Sequence, residues 1–394
     1  MISEKVNQRA EPLANSPKLG LVKGFRDYDG SEAEDREFLR ALIAGTFEKY
    51  GFSPAETPVI EYEEFVKGEN SSDEAVSDIF KLKDKGERNL ALRYEFTFQL
   101  KRLMQNKKLP YKRYQIGPVF RDEPVSADRF RQFIQCDIDT IGSTVKDEAE
   151  ILAAFNELFR KAGIEPVILV NNRKLLNEIL DDNKVKEKGR EQVLREIDKY
   201  DKLPESELRQ NLKKLNAENV IDSLKKGEKY FSRFEGYKEI IRLIESCKAY
   251  GLSVLFSPSV VRGLSYYNGS VFEIKAKGVK SSIAGGGSYM FNNVQSTGIS
   301  FSLERLEVVS RLKLKKEKWL IVSLEQDKAA IKLAQKLRSQ GKIVSVYYGK
   351  PSKALEFANS YNYNKAIFVG AKEVKVKKFK VKLMKTGKES VLKI

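Results

Sequence analysis

Residues 113–142, RYQIGPVFRDEPVSADRFRQFIQCDIDTIG, constrain the fold of this chain more than any other stretch. Strand side chains alternate between two faces, so a run with period two reads as a strand. From residue 129 one face would carry Arg129, Arg131, Phe133, Gln135, Asp137 and Asp139, and the other Phe130, Gln132, Ile134, Cys136 and Ile138. Upstream, Tyr114, Ile116, Pro118 and Phe120 share a face and Arg121 takes the opposite one. Pro124, Ser126 and Asp128, between the two runs, are turn formers. The pattern predicts an antiparallel pair joined by a short loop, with one apolar, buried face. The other face gathers arginines, an aromatic ring, an amide and carboxylates. Each guanidinium offers a planar fork of donors that matches phosphate oxygens. Phe133 can stack on a base, and Gln135 and Asp139 can receive an amino group or another cation. An ordinary solvated strand face laced with salt bridges accounts for the same pattern.

Composition narrows the chemistry. The chain has no histidine, which excludes imidazole catalysis and His-metal sites, and its two cysteines, Cys136 and Cys247, make neither a disulfide framework nor a zinc site. Any reaction must use Arg, Glu, Asp, Tyr, backbone groups and added metal. Apolar runs are too short to span a membrane and no signal peptide opens the chain, so a soluble, cytoplasmic protein of two or three domains is expected from its 394 residues. Of the net charge of +17, residues 311–394 carry +16, with 22 Lys and Arg against 6 Asp and Glu. A field so concentrated attracts polyanions. A lysine-rich solubility surface is the plainer explanation.

The 113–142 stretch resembles motif 2 of class II aminoacyl-tRNA synthetases, in the histidyl family: Phe-Arg-x-Glu, a loop, Arg-x-Arg-x-Phe, then Gln and an acid. Its QCDID run resembles the archaeal and eukaryotic branch. Other segments resemble that family in the same order. KGFRDYDG at 23–30 is similar to its opening, after a polar leader over 1–18. A helix is predicted over 32–50, with Phe38, Leu39, Leu42, Ile43 and Phe47 on one face and Ser31 as a candidate N-cap. GFSPAETPVIEYEEF then resembles motif 1, the class II dimer interface, with Pro58 the matching proline. Residues 71–85 read as a strand. LALRYEFTFQLKRL at 90–103 alternates, placing Arg93, Glu95 and Thr97 on one face, and resembles the segment that holds the amino acid; a polar outer strand face is the alternative. Residues 107–113 read as a basic surface patch that can also lie under a tRNA acceptor stem. Helices are predicted over 148–162 and, heavily charged, from about 172 to 250.

SPSVVRGLSYYNGSVFEI at 257–274 resembles the first histidyl signature, with Ser265 where the family has Asp. IAGGGSYMFNN at 283–293 resembles the second, with Ser288 in place of Arg and Met290 in place of Asp. STGISFSLERLEVV resembles motif 3. After a charged linker at 311–318, alternating strands and helices predict a mainly parallel α/β unit that resembles the anticodon-binding domain.

The resemblance implies an α+β fold: a class II antiparallel sheet flanked by helices over 1–171 and 251–312, a helical insertion over 172–250, and an α/β anticodon-binding domain over 318–394. It implies a homodimer that ligates L-histidine to tRNA(His) with ATP and Mg2+. By resemblance, Arg121 and Arg262 are the catalytic residues. Arg121, Glu123, Arg129, Phe133 and Arg305 bind ATP, with Phe133 stacked on adenine and Glu123 on its amino group. Glu95, Thr97 and Gln135 hold the α-amino group, Asp139 and Tyr267 the imidazole, and Arg262, Tyr266 and Tyr289 complete the histidine pocket. Two rivals share part of the pattern. One is the non-catalytic regulatory subunit of ATP phosphoribosyltransferase, a histidine sensor, favoured by Ser265, Ser288 and Met290. The other is a tRNA-binding accessory protein. The basic C-terminal segment and the retained Arg121, Arg262 and Arg305 count against the sensor.

Overall fold

The structure is a computed structural model and describes residues 20–68, 74–126, 129–262, 266–279, 281–310, 312 and 316–393. The leader at 1–18, Asp128, Ser265 and parts of the 71–85 and 311–318 stretches lie outside the described residues. The chain divides into two compact units, one holding residues 36–312 with the described part of 1–28, the other residues 313–394 with 29–35.

The first unit is built on an eight-stranded sheet. Its order is Ser53–Pro54, Tyr111–Phe120, Gln132–Ile141, Val294–Ser302, Ser282–Phe291, Tyr267–Ala276, Pro166–Asn172 and Val254–Phe256. The six long strands are antiparallel to their neighbours, and the two short edge strands pair in parallel. This is the antiparallel sheet that the sequence led us to expect. Alternation gives each central strand two unlike faces. Tyr114, Ile134, Cys136 and Ile138 pack under Leu39, Ile43 and Phe47 of the helix Gly30–Lys49 and under Ile151, Phe155 and Phe159 of the helix Val145–Lys161. Phe155 meets Phe47 at 5.6 Å between ring centres and Phe301, edge-on, at 5.5 Å. Each such ring, fully removed from water, contributes about 1.5–3 kcal/mol. Thr144 and Asp147 close a capping box on the second helix. Ser31 lies inside the first helix rather than ahead of it, so it is not the cap.

Local propensity misled in four places. The second strand of the hairpin begins at Gln132, so Arg129 and Arg131 sit in the loop and not on a strand face. Arg131 turns to Asp122, 3.0 Å away, and its N–H donates to the carbonyl of Gly24. Gly24 has φ +87°, and a Cβ there would lie 2.7 Å from the Arg131 side chain, so the 24–28 stretch docks only through glycine. Among the described residues of the 71–85 run, Glu74–Ser77 is a helical turn and only Lys81–Lys83 is strand. Within 90–103 the strand is Asn89–Leu92 and a helix follows at Leu100–Leu103. The segment between them breaks the alternation: Arg93 is buried and donates to the carbonyls of Pro118 and Thr57, away from Glu95 and Thr97. Arg113, read as part of a basic surface patch, is fully buried.

The charged 172–250 stretch is helical, from Arg173–Asp182 to Glu235–Ala249. Its Leu176, Ile179, Val193, Leu208, Ile221 and Phe231 join the same apolar core as the sheet. In the second unit the strands Ile343–Tyr348, Lys318–Ser323 and Lys365–Val369 run parallel, followed by Lys378–Leu383 and Glu389–Lys393 as an antiparallel pair. A short helix at Ala371–Val376 was not anticipated.

Candidate active site

The sheet face away from the helices carries the polar residues. Cross-strand register pairs Arg113 with Asp139, Gln115 with Asp137 and Gly117 with Gln135. On the other side of the same strand stand Gly298, Ser300 and Ser302. Large polar side chains facing small ones leave room, and a cavity of about 500 Å³ opens there. Phe133 and Asp139 both line it, six residues apart, so it extends about 20 Å along the strand. That length suits an elongated ligand.

All thirteen residues singled out from the sequence line this one cavity: Glu95, Thr97, Arg121, Glu123, Arg129, Phe133, Gln135, Asp139, Arg262, Tyr266, Tyr267, Tyr289 and Arg305. Phe130, expected on the buried face, lines it too, because the chain leaves the strand before residue 132.

At the Phe133 end the guanidinium groups collect. Arg121 lies over the Phe133 ring at 5.2 Å, donates to the Tyr94 carbonyl at 3.1 Å, and reaches the Gln135 amide oxygen at 3.4 Å. The Glu123 carboxylate stands 3.9 Å from both Arg121 and Arg129, the latter exposed. Arg305 is placed by the helix Leu303–Val309, whose N-cap Ser302 accepts from the Arg305 N–H, and its side chain donates to the Ser282 carbonyl at 3.2 Å. Glu304 next to it fixes that helix to the hairpin, accepting from the Ile134 N–H and from Arg36. Arg262 projects from the loop before the Tyr267–Ala276 strand and covers Gly285; a Cβ there would collide with its guanidinium. Gly285 thus makes room for a site side chain.

At the Asp139 end carboxylates and phenols meet. Tyr289 donates to Asp139 Oδ1 at 2.6 Å, and Tyr266 stacks obliquely between Tyr267 at 4.7 Å and Tyr289 at 5.6 Å. Burial raises all three phenols above their ordinary range, so they serve as neutral donors. Burial also pushes Glu95 up to about 7, with Arg121 pulling against it. Asp137 accepts from the Gln135 amide at 3.1 Å and is pushed up to about 8, again by burial, against the pull of Arg113. These are carboxyl groups poised to ionise when a cation arrives.

Two residues escaped the sequence reading. Asp137 was on the predicted polar face without a role. Arg113 was assigned to the surface; folding the run about residue 126 would have set it opposite Asp139, which is the register observed. The departure at Ser288 is also explained in part: its hydroxyl donates to Glu148, whose own charge is suppressed by burial. Met290 is half exposed.

Comparison with known proteins gives the family. The family described as histidyl-tRNA synthetase matches residues 24–306. Histidine–tRNA ligase 1 of Bacillus cereus is 32% identical, the match covering 93% of this chain and 94% of that one. Among solved structures, histidyl-tRNA synthetase from Nostoc sp. PCC 7120 superposes with a TM-score of 0.84 at 24% identity, covering 96% of this chain and 97% of that one. A Bacillus halodurans protein described as an ATP phosphoribosyltransferase regulatory subunit/histidyl-tRNA synthetase superposes at 0.75 and 22% identity, covering 91% of this chain and 99% of that one. At these identities both structures speak for the fold. The relatives are bacterial and lend no support to the archaeal and eukaryotic placement suggested by the QCDID run.

Proposed function

Because the chain belongs to the histidyl-tRNA synthetase family, we propose that it is a histidine–tRNA ligase working from this cavity. The observation that carries the proposal is the convergence of four arginines, from the hairpin, the 257–262 loop and the helix after the Val294–Ser302 strand, on a cavity that also holds the buried carboxylates. Arg121 and Arg262 steady the histidine carboxylate as its oxygen attacks the α-phosphorus of ATP, and pyrophosphate leaves. Arg129 and Arg305 hold the outer phosphates, Phe133 faces adenine and Glu123 accepts from its amino group. Guanidinium groups already in place stabilise the developing charge without reorganising. Glu95, Thr97 and Gln135 hold the α-amino group, and Asp139 with Tyr266, Tyr267 and Tyr289 encloses the imidazole. A hydroxyl of tRNA(His) then attacks the acyl carbon and AMP leaves. Mg2+ belongs to the proposal as an ion carried on the ATP phosphates, where it would add neutralising charge.

In this reading residues 1–171 and 251–312 are the catalytic domain, 172–250 an inserted helical domain, and 318–394 an anticodon-binding domain whose excess positive charge meets the tRNA. We place the protein in the cytoplasm as a homodimer; no described helix is long and apolar enough to cross a membrane. The sensor reading draws on Ser288, which stands where the family has an arginine. The test is ATP–pyrophosphate exchange with and without histidine, followed by charging of a tRNA(His) transcript. Exchange that needs histidine supports the ligase. Tight histidine binding without exchange would make the protein a sensor, and tRNA binding without either would leave an accessory protein.

A further inference from the structure

Arg113 is the largest of the fully buried side chains, and it does not line the cavity. It stands behind it. Its Nη2 forms an ion pair with Asp139 Oδ2 at 2.7 Å and stands 4.0 Å from Asp137 Oδ2, and none of its three guanidinium nitrogens has an acceptor in hydrogen-bond geometry among the described residues. A guanidinium taken out of water is costly unless a charge answers it, and Asp139, its cross-strand neighbour, is that charge. The other Asp139 oxygen accepts from Tyr289. On its third side Asp139 fills the space over Gly298, where a Cβ would collide with it. The carboxylate is therefore held from behind, from the side and from below, and the side that remains forms part of the cavity wall.

We propose that Arg113 is a positioning residue for ring recognition: through its ion pair it fixes Asp139 as an acceptor that takes only a ring bearing an N–H. A ring of the same shape without the N–H leaves that acceptor buried and unpaired. This rests on the histidine-ligase reading above, in that the ring is taken to be imidazole.

Calorimetric binding to the full chain tests it, with histidine and with thiazolylalanine, whose ring carries sulfur in place of the N–H. Binding does not depend on catalysis, so absent exchange removes the ligase reading without deciding this one. Arg113→Met is expected to weaken histidine by on the order of 10- to 100-fold, the worth of a charge-assisted hydrogen bond. Thiazolylalanine should change by less than about threefold, so discrimination between the two collapses. Arg113→Lys should recover most of the histidine affinity, and where exchange is measurable the Met variant should raise KM with kcat nearly unchanged. If Arg113→Met precipitates, Arg113→Met is compared with Arg113 in an Asp139→Asn background, where no unpaired carboxylate remains. There it should change nothing. Equal weakening of both ligands, an undiminished effect in the Asp139→Asn background, or unaltered histidine affinity in Arg113→Met would each overturn the proposal.

Discussion

Arg113 and Arg121 are eight residues apart along one edge of the hairpin, and their surroundings differ in kind. Arg121 is part exposed, and its hydrogen bonds go to neutral acceptors, a carbonyl and an amide, with the nearest carboxylate 3.9 Å away. Arg113 is fully buried and pressed against Asp139 at 2.7 Å. The same side chain is left able to meet an incoming anion at one end of the cavity and is already neutralised at the other. In the proposed reading the Arg121 end meets charge that arrives and develops, whereas at the other end one ion pair, Arg113 with Asp139, stands before anything binds. A guanidinium in a strand reveals its role through its partner's chemistry and its distance from water.

The largest effect expected from this contrast is at Arg121. Arg121→Ala should lower the rate of adenylate formation by about 10³-fold, the scale of losing one preorganised charge beside the reacting phosphate. Thermal stability should barely move, since its partners are a carbonyl and an amide that water can serve. Single-turnover measurement of adenylate at saturating ATP and histidine gives the number. A loss under tenfold would break the contrast, because Arg121 would then be no more than a surface cation.

The buried end makes its own prediction through Asp137, whose carboxyl holds its proton up to about 8 in the folded protein. An unfolded aspartate releases it near the ordinary value of 3.8. Between those values the folded state binds more protons than the unfolded one. Stability should therefore be fullest below about pH 4 and fall as pH rises toward 8, by about 1.4 kcal/mol per pH unit for this group. Glu95 adds a similar slope that ends near 7. Asp137→Asn removes the first slope. Urea titrations from pH 5 to 8, followed by circular dichroism, should show a flatter dependence in the variant. Parallel curves would mean that Arg113 neutralises both carboxylates, and the two ends of the cavity would then differ less in fixed charge.

Much of this was legible from residues alone. The alternation after residue 132 gave the hairpin's faces, and the resemblance of five separated segments gave thirteen of the residues that line the cavity, because a family's motifs carry contacts that spacing cannot. What stayed hidden were long-range pairings. Alternation assigns a residue to a face but not to a cross-strand neighbour, so Arg113 looked like the end of a basic patch. It also cannot see a tertiary partner that pulls a residue off a strand. Arg131 left its strand for Asp122 and the Gly24 carbonyl, and Arg93 turned to the carbonyls of Thr57 and Pro118. In both cases a backbone acceptor, invisible in the sequence, outcompeted the pattern.

The smallest effect is expected at Arg129, and it sharpens the contrast from the other side. Its side chain is 61% exposed and its Glu123 partner is 3.9 Å away, a separation at which an ion pair between wet groups contributes little. If exposure governs what a guanidinium does here, Arg129 steers the outer phosphates and fixes nothing. Arg129→Ala should then raise KM for ATP by about two- to fivefold, leave kcat for exchange within about twofold, and lose most of its effect as salt screens the exposed charge. Initial rates of pyrophosphate exchange at 50 and 500 mM potassium chloride, about the range over which the Debye length falls from 14 to 4 Å, make the comparison. A loss at Arg129 as deep as that at Arg121, and insensitive to salt, would mean that the loop closes over ATP and buries Arg129 with it. The exposure seen in the free protein would then say nothing of its role, and the distinction between the two ends would have to be drawn from the occupied cavity.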